Sequence, residues 1–209
     1  MLYRKIQPYI ESYLKSDSNK VLIIDGARQI GKTFIIRHVG QQLFENYIEL
    51  NFAEDYNGPR LFEQVRTVKE FYFQVSTIAG ERMGEKKNTL IFLDEIQAYP
   101  HLLTMLKFLK QDDRYTYIAS GSLLGVTLKK TTSIPIGSIE IKRMFPLDFE
   151  EFLLANGFNR FAIDMMHEKF LTGESLDAAM HEKVMDLFKK YLLIGGLPDA
   201  VNSFIADTN

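Results

Sequence analysis

The stretch VLIIDGARQIGKTFII, residues 21–36, constrains the fold more than any other feature of the sequence. Four consecutive apolar residues, 21–24, suit a strand buried on both faces rather than one with a wet side. A second apolar run opens at Phe34, and the residues between them, Gly26-Ala27-Arg28-Gln29-Ile30-Gly31-Lys32-Thr33, match G-x-x-x-x-G-K-[ST]. A chain passing from a buried strand through such a loop into a helix can curl its backbone at the glycines. Successive N–H groups then face inward, and the helix N-terminus adds partial positive charge. The loop is therefore shaped for phosphate. Gly26, Ala27, Arg28, Gln29, Ile30, Gly31, Lys32, Thr33 and the following Phe34 are the candidate nucleotide contacts. Lys32 is expected to reach the β- and γ-phosphates, and the Thr33 hydroxyl to ligate Mg²⁺. The side chains of Arg28 and Gln29 are expected to point outward.

Strands alternating with helical crossovers extend this reading over most of the chain. Residues 3–15 have helical period, with a bend expected at Pro8. Strands are expected at 21–24, 47–52, 89–93, 115–119 and 137–144, with a loop over 25–32, a helix from there to about 44 and further helices over 61–78 and 101–110; residues 54–60 read as a turn or loop. After Pro146 the pattern turns all-helical: 147–156, 160–171 and 175–193. This implies an α/β, three-layer core with a five-stranded, mostly parallel sheet over residues 1–145, then a small helical lid over 146–209.

The chain has 209 residues, enough for one large domain with an appendage. Its net charge of −2 offers no bulk attraction to nucleic acid. Cysteine is absent, which excludes disulfides, thiolate zinc and a cysteine nucleophile. His38, His101, His167 and His181 show no metal-ligand spacing and read as surface or structural. No secretory signal or membrane-span pattern is present, so a cytoplasmic location is expected.

In Leu90-Ile91-Phe92-Leu93-Asp94-Glu95 an acid emerges at the carboxyl end of a buried strand, level with the phosphate loop. Asp94 can hold Mg²⁺ through its water shell, and Glu95 is the candidate to accept a proton from attacking water. Ser120 and Ser122, at the exit of the fourth strand, are candidates to sense the γ-phosphate or to position the water, Ser120 first. A tight serine-glycine turn would look the same.

The segments GARQIGKT, NFAED, LIFLDEIQAYP, YIASGS, FPLDFEEFL and YLLIGGLPDAV, in that order, resemble a bacterial and archaeal group of AAA-type ATPases related to the signal-transduction (STAND) class. The resemblance spans about residues 3–205. It implies ATP or ADP with Mg²⁺ as ligands, Lys32, Thr33, Asp94 and Glu95 in their family roles, and Gly195 to Pro198 closing a helical subdomain over the adenine, with Pro198 as a contact. A plain helix stop explains the same four residues equally well. Relatives carry Gly-Arg before the last strand where this chain has Gly137-Ser138, which leaves Arg143 or Arg160 to supply a charge-stabilising arginine. Relatives also continue into a winged-helix or nuclease-like region, so this chain reads as shortened, and a protein or DNA partner is expected to be read by that region. Self-association is open.

Two function classes follow: a working Mg-dependent ATPase, or a nucleotide-held switch or scaffold that hydrolyses little. A small-molecule kinase fits less well, because of Glu95 and the helical appendage. No Asn-Lys-x-Asp follows a late strand, so GTP specificity is not expected.

Overall fold

The computed structural model describes residues 1–122 and 136–208. They fall into two compact units, Ile6–Met144 and a second made of Met1–Lys5 with Phe145–Asn209.

Among the described residues the larger unit carries five strands: β1 (Val21–Asp25), β2 (Asn46–Asn51), β3 (Thr89–Asp94), β4 (Thr116–Gly121) and β5 (Ile139–Arg143). Their order is β2-β3-β4-β1-β5, and every neighbouring pair is parallel. The expected α/β sheet is therefore present, and its described strands are all parallel. Burial explains it. β1 and β3 are buried at every position, so each strand must be covered on both sides.

Alternate residues serve the two layers. Val21, Ile23, Ile91 and Leu93 join a core with α4 (Val68–Ala79) and α5 (Pro100–Asp112), whereas Leu22, Ile24, Leu90 and Phe92 pack with α1 (Gln7–Lys15) and α2 (Lys32–Leu43). Each of these side chains contributes about 1.5–3 kcal/mol by leaving water. The order places β4 between β1 and β3, so the carboxyl ends of all three lie side by side. Such a row is where parallel sheets bind ligands.

Three local expectations are corrected. Pro8 stands in the first turn of α1, where its missing N–H costs nothing, so it starts the helix at Gln7 instead of bending it. The segment after β2 holds a short helix, α3 (Phe52–Asn57), because the Asn51 side chain accepts from the N–H groups of Ala53 and Glu54. Residues 61–64 turn rather than continue a helix: the Asp55 carboxylate accepts from the N–H groups of Leu61 (2.9 Å) and Phe62 (3.1 Å). α4 then starts at Val68 behind a Thr67–Glu70 capping box.

The second unit contains α6 (Phe149–Ala155), α7 (Arg160–Thr172), α8 (Ala178–Ile194) and α9 (Pro198–Thr208). Asp148, Asn159 and Asp177 cap the first three. Leu147, Phe152, Leu153, Ile163, Leu187 and Val201 form its core. Met1–Lys5 belongs to this unit, with buried Arg4 facing Glu151 at 3.4 Å and Lys5 reaching Asp148 and Glu150. Among the described residues, no helix is long and apolar enough to cross a membrane.

Candidate active site

The loop after β1 is held from below and open above. Gly31 precedes α2 with φ +91°, a conformation that only glycine adopts cheaply. A Cβ on Gly26 would stand 2.4 Å from the Met144 carbonyl oxygen, so the loop begins pressed against the end of β5. Gly26 N–H donates to the Gly121 carbonyl of β4 at 3.3 Å, and Ile30, fully buried, anchors the loop in the core. Ala27, Arg28 and Gln29 are exposed, the last two turned outward as expected. Phe34 is exposed and its ring stacks on His38. The N-terminus of α2 has no side-chain cap and no acid in its first turn. Its N–H groups and dipole remain available to an anion.

Lys32 lies folded over this loop, its Nζ donating to the carbonyls of Gly26 (3.0 Å) and Ala27 (2.7 Å). Burial lowers its pKa from the ordinary lysine value, against the opposing pull of Glu95, Asp94 and Asp25. Charge in so dry a place acts more strongly on an incoming phosphate than it would in water.

Asp94 ends β3 almost fully buried, and its carboxylate accepts from Thr33 Oγ1 (2.8 Å), from Ser120 Oγ and from Glu95 N–H (3.1 Å). Burial raises its pKa above the usual carboxylate value, while the Ser120 and Thr33 hydroxyls pull it down. A hydroxyl and a carboxylate in contact suit a hard cation that takes few protein ligands and shares a triphosphate. Among the described residues no group of three His, Cys, Asp or Glu could hold a metal by itself.

Glu95 has φ +52°, which swings its side chain off the strand direction. Its Oε2 accepts from Gln97 Nε2 and, at 3.3 Å, from Ser122 Oγ. The two serines thus separate: Ser120 serves Asp94, and Ser122 serves Glu95. Gln97 was not among the residues expected at the site. It stands in a tight turn, Ile96–Ala98, that folds it back towards β4. An amide two residues after a solvent-facing acid was the available signal.

A profile of the AAA domain family matches residues 18–153. The chain belongs to the AAA domain family. Its fold is similar to that of the Walker-type ATPase paby2304 of Pyrococcus abyssi (TM-score 0.55, 16% identity, 96% of this chain and 66% of the other). PCH-2 of C. elegans gives 0.53 at 15%, covering 97% and 62%. AMPPCP-bound DnaA of Aquifex aeolicus gives 0.53 at 13%, covering 95% and 58%. The chain spans two-thirds or less of these solved chains, and at such identities the likeness is one of fold. No curated protein sequence is a significant match.

Beside Thr33, Asp94 and Glu95 of this AAA domain runs an open cleft of about 760 Å³, walled by Leu50, Phe52, Leu61 and Phe62. A larger hollow, about 1060 Å³, includes Lys20, Lys86 and Lys107 at the amino ends of the strands and holds none of residues 26–33. Thr33 and the two acids, Asp94 and Glu95, line the smaller one. Of the two arginines expected to serve, Arg143 lies 3.7 Å from Asp25 and Arg160 is paired with Glu150 at 2.5 Å in the helical unit.

Because burial raises the Asp94 pKa, the fold disfavours its ionised form, and the penalty is present above the folded pKa and vanishes below the unfolded one. Asp94→Asn is therefore expected to raise the thermal midpoint of the nucleotide-free AAA domain at pH 7. The two midpoints should converge as calorimetry is repeated towards pH 4. A lower midpoint for the variant at pH 7 would show the charge to be stabilising instead.

Proposed function

We propose that this AAA domain binds ATP with Mg²⁺ and hydrolyses it to ADP and phosphate, coupling turnover to a movement of its helical unit. The observation that carries this is the junction of Thr33, Asp94 and Ser120 beside Glu95, next to a loop whose lysine and helix N-terminus face inward. Bound Mg²⁺ would neutralise phosphate charge. Lys32 and the N–H groups of residues 26–34 would bind the phosphates, Thr33 and Asp94 would hold the metal, and Ser120 would keep Asp94 in place. Glu95 would accept the proton of the attacking water.

Membership of the STAND-related group belongs to the same proposal, as do a cytoplasmic setting, a protein or DNA partner and self-association. So does contact between Pro198 and the adenine. Within the helical unit, Gly195 ends α8, Pro198 begins α9, and the Gly196 carbonyl accepts from Leu147 N–H at 2.7 Å. A segment so tied to the start of the unit could transmit a change at either end.

A slow switch is the second reading, favoured by one observation: Arg143 and Arg160 are both engaged in ion pairs. A free arginine at the transferred phosphate is worth about 10³–10⁵ in rate. Phosphate release with ATP, with and without Mg²⁺, decides between them. Mg-dependent release supports hydrolysis; tight Mg-dependent ATP binding without release replaces it with the switch.

A further inference from the structure

Glu95 does not hang loose in the cleft. Gln97 Nε2 donates both to Glu95 Oε2 and, at 3.1 Å, to Ser122 Oγ, while Gln97 Oε1 accepts from Ser122 N–H at 3.3 Å. Ser122 Oγ donates in turn to the same Glu95 oxygen. We infer that Gln97 is a positioning residue for hydrolysis, bridging Glu95 to the exit of β4 so that one carboxylate oxygen is fixed and the other is aimed at water. This rests on the reading of Glu95 as proton acceptor.

The chemistry of the amide is what the place requires. Only a side chain that donates and accepts at once can hold a carboxylate and a backbone N–H together. With two donors on Oε2, and none on Oε1 among the described residues, Oε1 is the oxygen left to take a proton. A glutamate without this restraint would sample many rotamers, and the ordering would have to be repeated at each turnover. The bridge ends on the strand next to β1, and the residue before Ser122, Gly121, accepts the N–H of Gly26 in the phosphate loop. Proton acceptor and phosphate loop are thereby referred to one strand. Gln97 itself is only half-buried, so the fold does not depend on it for its core.

The test compares single-turnover hydrolysis, ATP affinity and thermal midpoint in wild type, Gln97→Glu and Gln97→Leu, each also in a Glu95→Gln background. Gln97→Glu keeps the shape and an acceptor but loses the donor; Gln97→Leu loses both. Both should slow the chemical step by roughly tenfold to a hundredfold, with ATP affinity and thermal midpoint close to wild type. Added to Glu95→Gln, either should cost little more, because the restrained group is already disabled. Wild-type rates in both Gln97 variants would overturn the inference. So would a loss explained wholly by weaker ATP binding, or one that adds in full to Glu95→Gln. If Glu95→Gln itself turns over like wild type, or wild type does not turn over, the reading beneath fails and the role of Gln97 with it.

Discussion

Glu95→Gln is expected to slow single-turnover ATP hydrolysis by roughly 10²–10⁴-fold while leaving ATP affinity within about threefold, since a positioned general base is worth that much. The substitution keeps the length and shape of the side chain, and its amide oxygen can still accept from Gln97 and Ser122. It cannot take a proton from water at neutral pH. Asp94 and Thr33, which would hold the metal, are untouched, so binding is spared. Rapid-quench measurement at saturating ATP reads the chemical step directly. An unchanged rate would move the base elsewhere in the cleft.

Lys32→Ala is expected to weaken ATP binding by a hundredfold or more, about 3 kcal/mol, within the 2–5 kcal/mol typical when one partner of a buried charge pair is truncated. Lys32 is 5% exposed, so water cannot replace its charge, and the bound triphosphate would keep its desolvation cost without its nearest compensation. The nucleotide-free protein should suffer less. Lys32 Nζ is satisfied by two loop carbonyls, which reach water once it is gone. Fluorescence of a labelled ATP analogue, read against circular dichroism of the variant, separates the two effects.

The parts of this architecture that were legible beforehand are those encoded by contiguous residues. Val21 to Ile24 and Leu90 to Leu93 announce strands buried on both faces, because no polar residue interrupts them. The loop from Gly26 to Thr33 announces through its glycines the turn that leads from β1 into α2. What stayed illegible depends on partners distant in sequence. The strand order, which brings Ser120 against Asp94, is set by packing on both faces and leaves no local mark. The contacts of Gln97 with Ser122 likewise form only once β4 lies beside β3. Local capping leaves a different kind of gap: apolar period extends through residues 61–66, but Asp55 holds the N–H groups of Leu61 and Phe62 in a turn, and the Thr67–Glu70 capping box starts the helix at Val68. Helix α9 follows Pro198 because proline favours a first turn as readily as it ends a previous helix.

The most direct measurement is a calorimetric titration of ATP into the wild-type protein, with and without Mg²⁺, repeated on Asp94→Asn. We expect one nucleotide bound per chain in wild type, with an affinity that Mg²⁺ strengthens, and no such strengthening in Asp94→Asn, because the carboxylate proposed to hold the metal is gone. Absence of binding heat in wild type, or equal strengthening by Mg²⁺ in the two proteins, would contradict the assignment of this site.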